Sequence, residues 1–140
     1  MTGSASSVAL LGAAGVHLGF QLSVTLLVYP ALARVPAPDW ARAHAAHSRA
    51  ITPLVAVVYG TLVLVGGWAL VARWPDAWTL VAAAGAGLSF VATALVAAPT
   101  HGRLTSGRDD ALLRRLLAAD RVRTLGAVVC CAAAGVAALT

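Results

Sequence analysis

The sequence contains no lysine and no glutamate, so all ten basic residues are arginine and all five acidic residues are aspartate. Only 11% of its 140 residues are charged, whereas 60% are apolar. A soluble domain carries about 25% charged residues, because its surface faces water. A surface this poor in charge predicts a protein that faces lipid.

Cysteine is also scarce, and catalytic motifs are missing. Cys130 and Cys131 are adjacent within an apolar run, which matches neither a disulfide framework nor a CxxC redox site, so we expect packing residues. The sequence has no glycine-rich phosphate loop, no serine nucleophile elbow and no HExxH. Hydrolase, kinase and ATP-driven chemistry therefore have no support. The initial MTGSASS lacks a basic residue, and we expect no cleavable signal there.

Four apolar runs are candidates for transmembrane helices. A bilayer core needs about 20 apolar residues in a helix, and the first three runs reach that length. The fourth is shorter, and it spans if its helix extends back into the preceding segment. The predicted spans are residues 8–29, 51–72, 77–98 and 123–139. The predicted fold class is all-α, a single integral membrane four-helix bundle comprising residues 1–140.

The arginines are concentrated in two of the three linkers. Residues 31–50 carry three and residues 99–123 carry six, whereas the turn at residues 73–76 carries one. By the positive-inside rule, the two basic linkers are cytoplasmic and both termini are outside, in a bacterial-type inner membrane. A net charge of +5 placed in this way predicts lipid as the partner and no nucleic acid. The aromatic residues expected at the membrane surfaces are Trp74 and Trp78 outside, and Tyr29 and Trp40 inside.

Both basic linkers are predicted to contain short amphipathic interfacial helices. Ser106 to Asp109 resembles a capping box, and the following segment places its leucines on one face. In the first linker, Asp39 is placed to cap a helix that runs through His47, and Pro53 is expected to start or kink the second span. The residues on one face of this first interfacial helix are Trp40, His44, His47 and Ile51.

Polar side chains occur within the spans at similar depths. His17 and Gln21 lie one helical turn apart, and both are expected to face the interior of the bundle because polar groups in lipid are costly. At 1.5 Å per residue, Gln21, Tyr59 and Ser89 fall at one level, with His17 and Thr61 slightly deeper. The group is either a hydrogen-bonded contact between helices or the lining of a polar pocket.

Three histidines are predicted to meet at the cytoplasmic side. His44 and His47 lie three residues apart on one helical face, and His101 follows the third span. Three imidazoles with an open position suit a catalytic metal, so these residues are candidate metal ligands. With His17, they also allow a haem-binding protein. Interfacial histidines that bind nothing are the alternative.

Asp120 and Arg123 stand one turn apart at the start of the fourth span. In one interpretation, Arg123 snorkels to the membrane surface with Asp120 as its local partner. In the other, the guanidinium of Arg123 binds an anionic or carbonyl group of a ligand that arrives from the cytoplasmic leaflet.

Several of these residues occur in an order that matches a known family. They are His17 with Phe20-Gln21, Tyr29-Pro30, Trp40, His44 to Arg49, Ile51, Pro99-Thr100-His101-Gly102-Arg103-Leu104, Gly107, Leu116-Leu117 and Asp120 with Arg123-Thr124. The chain thereby resembles small bacterial four-span proteins grouped with the anthrone-oxygenase-like family. The resemblance implies oxidation of phenolic anthrones with oxygen, and it marks His17, His101 and Arg123 as candidate catalytic residues. Arg121 departs from the pattern, which has an aromatic residue at that position.

Three functions remain open, and whether the protein is an enzyme is open with them. The first is a membrane oxidoreductase or oxygenase that acts on a lipophilic aromatic or quinone-like molecule, with histidine as general base. Gln21, Tyr59 and Trp40 are its candidate substrate-binding residues. The second is a protein that binds haem or a transition metal. The third is a non-enzymatic subunit or an oligomeric small transporter, for which Gly15 and Gly19 form a GxxxG contact suited to a homo-oligomer.

Overall fold

Four long helices contain almost all of the residues that the structure describes. This computed structural model describes residues 2–74 and 76–140. All four helices are long and apolar enough to cross a membrane, which confirms the all-α four-helix bundle and a multi-pass membrane protein. The helices are α1 (Thr2–Ser23, the π-helical turn Val24–Val28, and Tyr29–Ala33), α2 (Ala37–Ala72), α3 (Ala77–Ala92, the π-helical turn Thr93–Ala97, and Ala98–Leu104) and α4 (Asp110–Leu139).

The four helices pack unequally around the bundle. α4 packs closely along α3, and α1 packs against both α2 and α4, whereas α2 and α3 touch each other much less. The seam between α2 and α3 is therefore the loosest contact. We call the end of the bundle that holds the loops at residues 34–36 and 105–109 the basic end. One apolar cluster, which includes the fully buried Cys130, lies away from that end, and a second fills it around Trp40 and Leu104.

Two glycines set the close approach of α3 and α4. A Cβ on Gly85 would lie 2.7 Å from the backbone nitrogen of Cys130, and one on Gly126 would lie 2.6 Å from the carbonyl oxygen of Gly85. Neither position has room for a side chain, so small residues let the two backbones meet directly. The Ser89 hydroxyl donates across this contact to the Arg123 carbonyl oxygen at 2.7 Å.

The predicted interfacial helices are continuous with the spans. α2 begins at Ala37 and continues through Pro53, and α4 begins at Asp110 and continues through Arg123. Two capping predictions are wrong. Asp39 lies inside the first turn of α2 and pairs with Arg42, and Asp109 rather than Ser106 caps α4. Asp109 accepts from the backbone N–H groups of Ala111 and Leu112, which otherwise lack partners at a helix start.

Two prolines explain the π-helical turns. Proline has no N–H group, and its ring clashes with the carbonyl oxygen four residues earlier. Before Pro30, the Tyr29 N–H bonds to Val24 five residues back, and before Pro99 the Ala98 N–H bonds to Thr93 in the same way. The widened turns keep both helices continuous into the basic end. They fix the directions of Tyr29 and of His101, which follows Pro99 by two residues.

The outer surface of the bundle is apolar, as expected for contact with lipid. Thr61 lies on this surface, so it does not belong to the polar interior. Gly15 and Gly19 also face outward and approach no other helix of the bundle. The predicted inner aromatic belt is wrong, because Tyr29 and Trp40 are only 4% and 0% exposed. Both side chains lie inside the basic end.

Candidate functional site

A buried ion pair lies between α1 and α4. The Arg123 and Asp120 side chains are 3.8 Å apart and only 4% and 3% exposed. Gln21 donates from Nε2 to the Asp120 carboxylate at 2.6 Å, which joins α1 to α4. The snorkelling interpretation of Arg123 is therefore wrong, since the guanidinium points into the bundle. The inward placement of Gln21 is confirmed.

Four aromatic rings stack at the basic end. His44 stacks on Trp40 with ring centroids 5.3 Å apart, and His101 stacks on His44 at 5.4 Å. His47 lies against His101 at 5.5 Å. Trp40 is anchored by its indole N–H, which donates to the Leu104 carbonyl oxygen at 2.9 Å. The stack holds one histidine of α3 against two of α2, so the predicted meeting of the three imidazoles is what the structure shows.

Hydrogen bonds connect this stack to the ion pair. The Arg123 guanidinium donates from Nη1 to the Tyr29 hydroxyl at 3.2 Å. The same hydroxyl lies 3.3 Å from Nε2 of His101, whose Nδ1 lies 3.2 Å from Nε2 of His44. A continuous polar chain thus runs from Arg123 on α4, through Tyr29 on α1, to the two histidines. Each of the four helices contributes to the site, since His44 belongs to α2 and His101 to α3.

A cavity of about 200 Å³ opens beside this chain. It lies at the α2–α3 seam, so apolar side chains form most of its wall and the polar groups form one side. An apolar cavity of about 150 Å³ accommodates a benzene ring, so this volume suits one substituted ring. The lining residues are Val24, Tyr29, His47, Ile51, Thr52, Val55, Thr93, Ala97, Ala98, His101 and Arg123.

Two lining residues carry buried polar atoms without a partner. Nε2 of His47 and Nε of Arg123 have no hydrogen-bond partner among the described residues. A buried polar atom left unpaired costs about 1–3 kcal/mol. A ligand hydroxyl or carboxylate would satisfy both atoms, because imidazole can accept or donate a hydrogen bond and guanidinium donates.

Arg108 fastens the loops over the site. Its guanidinium donates to the carbonyl oxygens of Ala33 and Val35, at the end of α1 and in the following loop. The guanidinium carbon also lies 5.9 Å from the centre of the Trp40 ring, within reach of a cation–π contact. The loop before α4 is thereby tied to the loop before α2. Sequence reasoning did not identify this role, because the bonds join segments more than 70 residues apart.

The geometry gives no support to a three-histidine metal centre. Ligation requires nitrogen lone pairs that converge on one point. His44, His47 and His101 instead lie in a stack, and no group of three or more His, Cys, Asp or Glu within residues 2–74 and 76–140 is arranged to hold a metal ion. His17 stands apart from them, since 12 residues of helix separate it from Tyr29, a rise of about 18 Å.

The other predicted site residues lie around the cavity rather than in its wall. His17 is fully buried, edge-on to Tyr59 with ring centroids 5.0 Å apart, and neither of its nitrogens has a described partner. Its catalytic role stays a prediction. Gln21 lies behind Asp120, and Trp40 lies behind His44. Tyr59 bonds to Thr93 at 3.0 Å and lines the seam next to the cavity.

Tyr29 is the lining residue that sequence reasoning missed as part of a site. The signal was the proline that follows it, since the π-helical turn it induces is a feature often found at functional sites. Compared with family models, curated proteins and solved structures, the chain matches none. The function is therefore argued from the cavity itself.

Proposed function

We propose that the cavity binds the ring of a lipophilic phenol or hydroquinone and that the protein is a membrane oxidoreductase for such molecules. The observation that carries the proposal is a ring-sized apolar cavity whose polar side holds two unpaired atoms, on His47 and Arg123. A ring hydroxyl supplies what both lack. Ligand pockets typically combine apolar walls with a few convergent polar groups in this way.

The polar groups suit deprotonation of the ring hydroxyl. A neutral imidazole is a general base at physiological pH, and His47 has the free nitrogen that this step needs. The anion that results lies beside the Arg123 guanidinium, which stabilises negative charge most strongly where water is excluded. His101 contacts Tyr29 through one nitrogen and His44 through the other, so it can accept a proton on one side and release it on the other.

Deprotonation makes a hydroquinone easier to oxidise, and dioxygen is the proposed oxidant. The hydroquinone loses two electrons and two protons to become the quinone, and dioxygen gains them to become hydrogen peroxide. The resemblance to anthrone-oxygenase-like proteins supports oxygen as the co-reactant. A three-ring anthrone would have to extend beyond a cavity of about 200 Å³ into the seam, so the geometry favours a single-ring head.

In this proposal, the basic end faces the cytoplasm of a bacterial-type inner membrane and both termini lie outside. Nine of the ten arginines support it, because they lie in or next to the loops at residues 34–36 and 105–109. Positively charged loops are retained on the cytoplasmic side. The cavity then takes its ligand from the bilayer and exchanges protons with the cytoplasm.

Oxygen uptake tests the activity. Proteoliposomes and protein-free liposomes receive a single-ring hydroquinone, and an oxygen electrode is read together with a peroxide assay. We expect uptake and peroxide in equal amounts above the protein-free rate, and a fall of at least about tenfold for His47→Phe, which keeps an aromatic ring but removes the base. Arg49→Gln, on the outer side of the same helix, is the control and is expected to match the wild type. Uptake equal to that of protein-free liposomes would refute the proposal.

A further inference from the structure

An open crevice continues from the cavity along the α2–α3 seam. Two further cavities, of about 630 and 380 Å³, follow the first one. The first two share Val55 and Thr93, and the second and third share Tyr59, Val63 and Phe90. Shared walls make the three cavities one channel open to the side. From Val55 to Leu70 it follows α2 for about 22 Å, most of the ~30 Å thickness of a bilayer core.

Glycines on both walls keep the crevice open. A Cβ on any of Gly60, Gly66, Gly67 or Gly87 would meet no atom within 4 Å. Gly85 and Gly126 differ, because there a Cβ would collide with the neighbouring backbone. The packing of this chain therefore does not explain the crevice glycines. They leave a groove that is almost entirely apolar.

The basic end of the crevice is polar and charged. Arg123 lines it there, 3% exposed and with Nε unpaired, next to Tyr29 and His47. A groove that is apolar along its length and ends at a buried cation matches a molecule with one polar head and one long apolar chain. A second copy of this chain would not bring an anionic or hydroxyl group to that end, and a bulk lipid holds its headgroup at the membrane surface rather than among buried residues.

We infer that the ligand carries a long isoprenoid or alkyl chain, which lies in the α2–α3 crevice while its ring occupies the cavity. The inference rests on the proposed function, and it narrows the substrate class to hydroquinones or phenols with a membrane-embedded tail. The tail enters sideways from the bilayer, because α2 and α3 make the loosest contact of the bundle. The head then reaches Arg123 and His47 without crossing the loops that Arg108 fastens.

Two ligands with the same hydroquinone head, one with a methyl group and one with a decyl chain, test the inference. Tagged nanodiscs containing the full chain are mixed with empty nanodiscs of the same lipid, and the ligand in each population is measured after separation. The empty discs correct for partition into lipid. We expect the decyl ligand to bind the wild type at least about tenfold more tightly than the methyl ligand after that correction.

Filling the crevice should remove this difference. Gly66→Leu and Gly87→Leu place side chains where nothing lies within 4 Å, and neither residue lines the ring cavity. We expect both variants to bind the methyl ligand as the wild type does and to lose the extra affinity for the decyl ligand. Gly12→Leu is the matched control, because it fills a separate groove between α1 and α2 and should leave both affinities unchanged.

The outcomes separate the two proposals. If the methyl ligand binds but the decyl chain adds nothing, or if the crevice variants behave like Gly12→Leu, the inference is wrong and bulk lipid or a second copy of the chain covers the seam. If neither ligand binds the wild type above empty nanodiscs, the proposed function fails and the inference fails with it. Thermal unfolding of each variant, compared with Gly12→Leu, shows that a lost affinity does not come from lost folding.

Discussion

At the scale of the residue, the buried pair of Arg123 and Asp120 has the largest energetic effect. Removing one partner of a buried ion pair leaves an uncompensated charge and costs about 3–5 kcal/mol. We expect Arg123→Gln and Asp120→Asn each to lower the free energy of unfolding by that amount. The double variant should recover much of the loss, because neither charge remains. Denaturation of the four proteins in detergent measures the coupling.

The same four proteins separate stability from binding. Asp120 contacts Arg123 and Gln21 but does not line the cavity, whereas Arg123 does. The double variant should therefore fold yet bind a hydroquinone poorly. Arg121→Gln, an exposed change on the same helix, should alter neither property. A double variant no more stable than the single variants would show that the two charges do not interact.

Residue types predicted the interior only in part. His17, Gln21 and Ser89 were placed inward correctly, because a polar group in a span has few alternatives to facing other helices. Arg123 was not fixed by the sequence, since an arginine near the end of a span can equally reach the surface. Its place depends on Tyr29, a residue 94 positions away that no local pattern connects to it.

At the scale of the element, the contact between α3 and α4 depends on two glycines. Gly85→Ala would put a methyl group 2.7 Å from a backbone nitrogen, so we expect a loss of about 1–3 kcal/mol in the free energy of unfolding. Gly87→Ala, two residues further along α3, has open space and should be neutral or slightly stabilising. Thermal melting of both variants decides; equal melting temperatures would contradict the close contact.

The start of α4 carries a pH-dependent cap. The backbone N–H of Leu112, with that of Ala111, holds the pKa of the Asp109 carboxyl below its ordinary value, since both donate to the charged form. A lowered folded pKa contributes stability above the unfolded value of about 4 and loses it as the pH falls further. We expect the melting temperatures of the wild type and Asp109→Asn to converge between about pH 5 and pH 3. A constant difference would rule out the charged cap.

Hydropathy predicted the number of helices well and their starts poorly. The apolar runs located four spans, because about 20 such residues in a row have few other uses. It did not show that α2 and α4 begin 14 and 13 residues before the predicted spans at residues 51 and 123, since a charged first stretch can end or continue a helix. GxxxG spacing pointed to Gly15 and Gly19, whereas the close contact uses Gly85 and Gly126 on different helices.

At the scale of the whole molecule, the orientation is tested by labelling single cysteines in intact cells. The native Cys130 and Cys131 lie within α4, so a membrane-impermeant thiol reagent should not reach them. Trp74→Cys, in the turn between α2 and α3, should be labelled from outside. Ser106→Cys, in the loop before α4, should be labelled only after lysis. The reverse pattern would place the basic end outside the cell.

The claim that the cavity recognises a ring hydroxyl is tested most directly by a hydroquinone and its dimethyl ether, which share a ring and differ in the groups offered to His47 and Arg123. Binding to the protein in nanodiscs is measured for both. The account predicts that the wild type binds the hydroquinone at least about tenfold more tightly. It predicts that His47→Phe loses most of this preference. Equal binding of the two compounds to the wild type would contradict the account.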